Sequence, residues 1–358
     1  MSYRLSLTTR NKNLRRNYHI PNCIQIQADI AEIGIGNQGI VWPGTYTDPV
    51  TKGDSVIAIK DIGRLGTAVN AKKAFRELYI FKRISHPNIV KYITSFGRND
   101  YANLGYFCIA MEKCDMTMYP NAFAKKYCNL YGPGGYRFPT EFFRDIAFQL
   151  LCGTKFVNDC GLMHRDIKPS NIGIIHREDK SPLVKLLDFG LSRDELHAQM
   201  VGTRDSTPSP FRAPELLEGS QQYDCKIDAW SVGCVLFRLA TNKLPFDYTQ
   251  QGAETFDVYT SSILSKIQNY THDAYEASGV PDDARGLIAR LLVKDPTERA
   301  SAADALEDIY FSGLTDRVAN QAPPIGQDYQ ALVALHANWG VNDIKECIVA
   351  ELDHRLDF

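Results

Sequence analysis

Short apolar runs separated by glycine, aspartate or asparagine occupy the first third of the chain and predict β-strands. Five such runs lie between Asp29 and Glu112 and are rich in Ile, Val and Tyr: DIAEIGIG, GIVWPGTY, SVIAIKDI, NIVKYITSF and GYFCIAME. One helical interval, NAKKAFRELYIFKRI, interrupts them and is ended by the His86-Pro87 pair. This part of the chain therefore predicts a small β-rich lobe that contains one helix.

Beyond Pro139 the periodicity becomes helical. The segment TEFFRDIAFQLLCGTKFVNDCG has Thr140 as its candidate N-cap and Gly161 as its candidate C-terminal turn residue. A later segment, IDAWSVGCVLFRLATN, is apolar nearly all round, which predicts a buried central helix. Residues 119–139 between the two halves predict a loop or insertion. The pattern as a whole predicts an α+β protein in which a β-rich lobe joins a larger helical lobe near residues 112–117.

Composition narrows the class of protein. The chain has 358 residues and a formal net charge of −2, so bulk charge indicates neither a nucleic-acid partner nor an anionic membrane. Nine scattered cysteines form no CxxC pair and predict buried, reduced thiols in an intracellular protein, either cytoplasmic or nuclear. No stretch is long and apolar enough to predict a membrane span.

The two ends of the chain carry their own patterns. The first 28 residues contain five Arg or Lys residues and no acid, which predicts a disordered basic arm or, alternatively, an organelle-targeting segment. Near the C-terminus an amphipathic helix is predicted from apolar residues at Ile344, Cys347, Ile348 and Leu352. This helix is expected to pack on the larger lobe, and the alternative is a helix that docks a partner.

A glycine-rich stretch follows the first predicted strand. Gly34, Gly36 and Gly39 in EIGIGNQGIVW have G-x-G-x-x-G spacing, and glycines let a backbone approach phosphate oxygens closely. The alternative is a hairpin with purely structural glycines. A dinucleotide-binding motif would need a helix to begin here, whereas Ile40 and the residues after it continue as a strand.

Three further positions suggest phosphate and metal chemistry. Glu77 lies along the apolar edge of the predicted helix, where a carboxylate is costly without a partner, and Lys60 at the end of VIAIK is the natural one. Asp188 ends another apolar run, and with Asn171 it offers hard oxygen ligands for Mg²⁺.

These motifs resemble those of eukaryotic protein kinases over about residues 28–313. The matches occur in the order typical of that family: GIGNQGIV, IAIK, the helix Glu, HRDIKPSN, DFG, Ala213-Pro214-Glu215, DAWSVG and KDPTERAS. The resemblance implies a bilobal protein-kinase fold with an N-lobe at 28–112 and a C-lobe at 118–313. It leaves a basic arm at 1–27 and a helical tail at 314–358.

The resemblance implies a serine/threonine kinase that transfers the ATP γ-phosphate to protein hydroxyls with Mg²⁺. Asp166 matches the catalytic base, Lys168 the residue directed at the γ-phosphate, and Asn171 and Asp188 the metal ligands. Lys60 and Glu77 match the Lys–Glu pair that holds ATP phosphates. Asp228 matches the anchor of the catalytic loop, and Glu215 and Arg299 match a buried pair. The residues expected to bind ATP are Ile33, Gly34, Ile35, Gly36, Asn37, Gln38, Gly39, Ile40, Val41, Ala58, Lys60, Met111, Glu112 and Cys114.

Control by phosphorylation is implied in the same way. Arg76, Arg165 and Arg193 match arginines that bind an activating phosphate, and Thr203 is the expected site, with Ser206 and Thr207 as alternatives. These arginines could instead pair with local acids. An activating kinase or a regulatory subunit is therefore an expected partner, beside ATP and protein substrates. Some features of the sequence are similar to those of cyclin-dependent kinases.

Pro208 stands where protein kinases commonly have a Thr, which leaves substrate docking less defined.

Two competing functions are weighed against this prediction. A pseudokinase that serves as a scaffold or binding module would typically lack one of Lys60, Asp166, Asn171 or Asp188, and this chain retains all four. A tyrosine kinase is disfavoured because Lys168 is the residue usual in serine/threonine kinases.

Overall fold

The computed structural model describes most of the chain. The described residues are 21–26, 32–36, 39–63, 65, 67–98, 106–127, 130–132, 135–194, 209–220, 222–246, 256–271, 280, 282–314 and 341–356. They form two compact units. The first takes its residues from Met1–Ser85, Val90–Cys114 and Gln330–Phe358, and the second from His86–Ile89 and Asp115–Tyr329. The expected division into a β-rich and a mainly helical unit is confirmed.

The first unit is built on a seven-stranded sheet with the strand order β1-β3-β4-β6-β5-β14, and β2 also pairs with β3. Its strands are β1 (Ile24–Ile26), β2 (Gly34–Gly36), β3 (Gly39–Thr47), β4 (Asp54–Gly63), β5 (Tyr92–Arg98), β6 (Tyr106–Glu112) and β14 (His354–Leu356). All neighbouring pairs are antiparallel except β14 with β5, which is parallel. Apolar side chains on one face, among them Trp42, Ile59 and Phe96, form a core cluster.

Helix α1 (Ala68–Phe81) is the one helix of the first unit within residues 21–98 that the structure describes. It begins where the Thr67 side chain accepts a hydrogen bond from the N–H of Asn70 at 3.2 Å, as an N-cap does. Its second half is buried continuously from Ala74 to Phe81, including Arg76 and Glu77. These two charged residues therefore lie inside the unit.

The second unit is mainly helical. Its helices are α2 (Pro120–Tyr127), α3 (Thr140–Asp159), α4 (Pro214–Leu217), α5 (Lys226–Thr241), α6 (Phe256–Gln268), α7 (Asp282–Leu291) and α8 (Ala302–Leu306). Its short strands are β7 (Met116–Thr117), β8 (Leu130–Gly132), β9 (Gly135–Arg137), β10 (Leu162–Met163), β11 (Ile172–His176), β12 (Pro182–Leu186) and β13 (Arg193–Asp194). Helix α5 is buried on nearly all sides, as its apolar sequence predicts. Gly161 after α3 has a φ of +72°, in agreement with its predicted role as a turn residue.

Three local predictions are wrong. Thr140 is the first residue of α3 rather than its N-cap, and Pro139 at the cap position makes no side-chain hydrogen bond. Residues 119–139 are not a plain loop, because they contain α2 and the β8–β9 hairpin. Phe123 is fully buried in α2 and its ring contacts those of Phe138 and Phe142, which gives this segment a small aromatic core. Strand β5 begins at Tyr92, whereas the apolar run predicted a start near residue 88.

The chain ends also differ from the predictions. Residues 24–26, assigned to the N-terminal arm, form β1 and pair with β3, and residues 1–20 lie outside the described part. The predicted C-terminal helix is present as α9 (Val341–Glu351), but it packs against α1 in the first unit and not on the larger one. None of the helices within the described residues is long and apolar enough to cross a membrane. Eight of the nine cysteines are described, and none of these eight forms a disulfide.

Candidate active site

A buried ion pair joins β4 to α1. The Nζ of Lys60 lies 2.5 Å from Oε1 and 2.7 Å from Oε2 of Glu77, and the two residues are 8% and 1% exposed. Glu77 therefore satisfies its buried carboxylate with an ammonium group, which is the condition for keeping such a group ionised. The predicted partnership is present, although β4 continues to Gly63, so Lys60 lies within the strand and not at its end as predicted.

The glycine-rich stretch forms the hairpin between β2 and β3. Gly36 stands opposite Gly39 in the register, and Asn37 and Gln38 between them lie outside the described residues. Gly39 has a φ of +149°, and a Cβ on it would lie 1.9 Å from the backbone oxygen of Asp61. Only glycine fits this position, since the obstructing atom belongs to the backbone of β4.

The residues expected to hold adenine lie on β4 and at the end of β6. Ala58 stands opposite Met111 in the register, and both are buried. The N–H of Glu112 donates to the oxygen of Lys91 at 2.9 Å, and its carboxylate accepts from the N–H of Lys91 at 2.6 Å. Glu112 is thus fixed in both its backbone and its side chain. Cys114 is half-buried, and Ile33 is 43% exposed.

In the second unit, the residues of HRDIKPSN converge on Asp166. The Nδ2 of Asn171 donates to the backbone oxygen of Asp166 at 2.9 Å and to its Oδ2 at 2.8 Å. The Nζ of Lys168 lies 2.8 Å from the same Oδ2 and 3.0 Å from Oδ1. The Asp166 carboxylate is therefore oriented by two donors from its own loop, and it lies next to one positive charge.

The backbone of this loop is anchored from helix α5. Asp228, which is fully buried, accepts the N–H of His164 at 2.7 Å and the N–H of Arg165 at 2.8 Å. Burial raises the pKa of Asp228, whereas the positive field of His164 and these backbone donors act in the opposite direction. Arg165 has a φ of +66°, an unfavourable conformation for a side chain larger than glycine that the Asp228 contacts help to hold.

A backbone hydrogen bond joins the segment that carries Asp188 to this loop. The N–H of Leu187 donates to the backbone oxygen of Asn171 at 2.9 Å. This bond connects the segment that carries Asp188 to Asn171, the other metal-ligand candidate. Asp188 has a φ of +63° and accepts the N–H of Gly190 at 3.1 Å. Phe189 is fully buried, and its ring centroid lies 4.8 Å from that of His164.

Asn171 and Asp188 fit a magnesium ion by their chemistry. Since Asn171 donates to Asp166 through Nδ2, its Oδ1 remains as an oxygen ligand, and Asp188 adds a carboxylate. Among the described residues there is no cluster of three or more His, Cys, Asp or Glu that could hold a metal ion. A site with so few protein ligands suits Mg²⁺, which usually keeps water and substrate phosphates in its coordination shell.

The three arginines expected to bind a phosphate lie in different units. Arg76 is buried in α1 of the first unit, while Arg165 and Arg193 belong to the second. Arg165 donates to the oxygen of Leu191 at 3.3 Å. Thr203, Ser206 and Thr207 lie outside the described residues, as do Glu195 and Asp205, two of the local acids with which the arginines could instead pair.

Arg212 extends the positive charge beside Arg165. Burial lowers the pKa of Arg212, and the positive charge of Arg165 lowers it further. The guanidinium of Arg165 also lies 5.6 Å from the centroid of the Tyr223 ring. Sequence reasoning did not assign Arg212 to this cluster, although its place directly before Ala213-Pro214-Glu215 was the available signal.

The segment that follows is secured by a buried pair. Arg299 donates to Oε1 of Glu215 at 2.6 Å and to Oε2 at 3.0 Å, in bidentate geometry. Its guanidinium lies 5.0 Å from the centroid of Trp230. The predicted pairing of Glu215 with Arg299 is therefore present, and it joins α4 to the turn before α8.

Comparison with known proteins agrees with this geometry. The family described as "Protein kinase domain" matches residues 28–311. The mitogen-activated protein kinase HOG1 of Debaryomyces hansenii is 29% identical over 311 residues, which cover 80% of this chain and 74% of that protein. The stress-activated protein kinase jnk-1 of Caenorhabditis elegans is 29% identical over 325 residues, 82% of this chain and 65% of that protein.

A third relative differs more in length. The serine/threonine-protein kinase ATG1b of Arabidopsis thaliana is 29% identical over 286 residues, which cover 78% of this chain and 36% of that protein. The chain therefore spans about three quarters, two thirds and one third of these three relatives.

Proposed function

The chain belongs to the protein kinase family, as an ATP-dependent serine/threonine kinase, and we propose that Asp166 is the base that accepts the substrate hydroxyl proton. The observation that carries this assignment is the pair of donors on its carboxylate, Lys168 and Asn171 at 2.8 Å each. A carboxylate held in one orientation can meet a hydroxyl at hydrogen-bond distance without rearrangement.

Lys168 supplies positive charge where the γ-phosphate is transferred. Its Nζ lies beside the Asp166 carboxylate, so the base and the positive charge stand next to each other. Proton transfer from a positioned base is worth about 10²- to 10⁴-fold. Most of the acceleration is therefore assigned to positioning and to positive charge around the phosphates.

Asn171 and Asp188 are proposed to hold Mg²⁺. When bound, the metal ion neutralises charge on the β- and γ-phosphates. The hydrogen bond from Leu187 to the Asn171 oxygen keeps the two ligand-bearing segments together. Asn171 also donates a hydrogen bond to the Asp166 carboxylate, so the proposed metal ligand and the proposed base are directly linked.

ATP binding is assigned to the first unit. The β2–β3 hairpin is proposed to cover the phosphates, and Lys60, oriented by Glu77, is proposed to contact them. Ala58, Val41 and Met111 would enclose the adenine, with the backbone at Glu112 and Cys114 bonding its edge. These roles extend from the family, and they agree with the burial of Ala58 and Met111.

Control by phosphorylation is proposed for Thr203. A phosphate carries about −1.5 to −2 charges at pH 7 and takes charge-assisted hydrogen bonds from arginines. Burial is the main reason that the pKa of Arg212 is lowered, and the positive charge of Arg165 lowers it further, so these two arginines are close enough to interact and could both attract a phosphate. Mass spectrometry of active protein should find phosphate on Thr203, and Thr203→Ala should lower kcat/KM. A fully active Thr203→Ala variant that is insensitive to phosphatase would remove this control mechanism.

Partners and location follow from the same proposal. Protein substrates and an activating kinase or regulatory subunit are proposed in the cytoplasm, the nucleus or both. The names of two relatives, a mitogen-activated and a stress-activated kinase, suggest a role in signalling.

The magnesium assignment is tested by phosphoryl transfer from labelled ATP to a degenerate serine/threonine peptide library at graded Mg²⁺ concentrations. Asp188→Asn should lower turnover about 10²-fold or more, because electrostatic stabilisation of the transferred group is lost. The matched control is Asp159→Asn, which removes an exposed carboxylate from α3 and should keep wild-type turnover. Retention of more than about a tenth of turnover by Asp188→Asn would contradict the assignment.

A further inference from the structure

The C-terminal segment 341–356 is built into the first unit from two sides. Helix α9 packs against α1 with Ile344 and Ile348 buried, and Leu352 directly after the helix is buried as well. Directly after it, β14 adds a parallel edge strand to β5, with His354 opposite Phe96. The segment therefore contacts both the helix that carries Glu77 and the sheet beside it.

A polar network fastens this segment to the end of α1. Lys82 is the C-cap residue of α1, and its Nζ donates to the backbone oxygen of Glu351 at 2.5 Å and to Oδ1 of Asp353 at 2.8 Å. Arg83 makes a bidentate contact with the Glu351 carboxylate at 2.8 and 3.1 Å, while its guanidinium lies 3.5 Å from the centroid of the Tyr79 ring. Bidentate arginine–carboxylate pairs fix geometry as well as adding energy.

Asp353 connects the same network to the sheet. Its Oδ2 accepts the N–H of Ser95 at 3.1 Å and the hydroxyls of Tyr92 and Thr94, and its own N–H donates to Oγ of Ser95 at 3.2 Å. Burial acts to raise the pKa of Asp353, but the hydrogen bonds from Lys82 and Tyr92 outweigh it and lower the pKa. The carboxylate therefore stays ionised and bridges α1 to β5.

Helix α1 is thus held at two places. Glu77 is bound to Lys60 of β4, and Lys82 and Arg83, one to two turns further on, are bound to the C-terminal segment. A helix rises about 1.5 Å per residue and is stiff over so short a distance. A constraint on the C-terminal end of α1 is therefore transmitted to Glu77. Loss of the second attachment would remove the restraint that Lys82 and Arg83 provide at the C-terminal end of α1.

We propose that Glu351 and Asp353 are positioning residues for phosphoryl transfer, which keep Glu77 on Lys60 by fixing the end of α1 through Lys82 and Arg83. In this proposal the C-terminal segment of the chain itself sets the position of α1. This inference rests on the proposed role of Lys60 and Glu77 in holding ATP phosphates.

The test is a double-mutant cycle in the full-length protein. Glu351→Gln with Asp353→Asn preserves shape but removes both charges, and it should lower kcat by roughly three- to tenfold, with the KM for peptide unchanged. The matched control is Asp282→Asn, which breaks the exposed pair with Arg285 on α7 and should leave kcat unchanged. Arg83→Glu should show the same loss, and adding Glu351→Arg to it should restore part of kcat.

The decisive comparison is made in a Glu77→Gln background. If the C-terminal carboxylates act through Glu77, their removal should have little further effect on kcat there, while any fall in Tm should persist in both backgrounds. An equal fall in kcat in both backgrounds, or a wild-type kcat for the double variant, would overturn the inference. Full activity of Lys60→Met would instead overturn the proposed role of Lys60, and the inference with it.

Discussion

Asp228 of α5 holds the backbone of His164 at 2.7 Å, two residues before the proposed base. The same carboxylate holds the N–H of Arg165 at 2.8 Å and accepts from Asn158 at 3.2 Å. A side chain with no exposure thus shapes the loop that presents Asp166. The position of the proposed base therefore depends on a buried residue of another element.

Asp228→Asn should therefore weaken both stability and catalysis. The amide has one acceptor oxygen where the carboxylate has two, so one buried loop N–H loses its partner, at a cost of about 1–3 kcal/mol. Urea unfolding gives the stability change and steady-state kinetics give kcat, which should fall at least tenfold when Asp166 is displaced. An unchanged kcat with lowered stability would show that the loop keeps its shape without this anchor.

Gly39→Ala should impair ATP binding more than a surface substitution would. Its Cβ would lie 1.9 Å from the Asp61 oxygen, so the β2–β3 hairpin must shift away from β4. We expect the KM for ATP to rise by about tenfold, because phosphate contacts depend on close backbone approach. Gly286→Ala is the control, since nothing lies within 4 Å of the Cβ that the substitution adds. Alanine is also more favourable than glycine in a helix by about 1 kcal/mol. Equal KM values for both variants would contradict the role assigned to the hairpin.

Acid should destabilise the second unit through His86. Burial lowers the pKa of His86 from 6.5 to about 4, with a smaller effect from the positive charge of Lys185, and its Nδ1 accepts the N–H of Asn88 at 3.0 Å. Since the folded pKa lies below the unfolded one, this contribution is complete above pH 6.5 and is lost as the pH falls towards 4.

The loss is on the order of 2 kcal/mol when discounted for partial solvent access. It is measured as the difference in unfolding free energy between pH 7.5 and pH 4, the interval over which the contribution is lost. His86→Asn keeps an acceptor for Asn88 without titrating, so its pH dependence should be flatter. The same slope in variant and wild type would assign acid sensitivity to other groups.

The proposed catalytic residues were predictable because short local motifs carry the resemblance to protein kinases. Asp166, Lys168 and Asn171 lie within one loop, at a short and recognisable spacing. Glu77 lies at the apolar edge of its helix and therefore required a cationic partner such as Lys60. Contacts between distant segments were not predictable in this way. An amphipathic pattern shows that α9 buries one face, but the partner depends on Lys82 and Arg83, which are 268 to 271 residues away from the carboxylates they bind.

The insertion at 119–139 shows a second limit. The sequence predicted a loop or an insertion there, and the segment contains a short helix whose Phe123 and Tyr127 rings contact each other and that of Phe142. Such contacts join residues on both sides of a hairpin, so propensity within a window does not reveal them.

The proposed function depends most directly on Asp166 as the base, and single-turnover phosphoryl transfer measures this role. Purified wild type and Asp166→Asn, which can keep the hydrogen-bonding shape of the loop, are mixed with labelled ATP, Mg²⁺ and a serine/threonine peptide. Wild type should label the peptide, and Asp166→Asn should be at least about 10²-fold slower, with Tm and ATP affinity preserved. A wild-type protein that binds ATP but transfers no phosphate, or an Asp166→Asn variant as fast as wild type, would contradict the account.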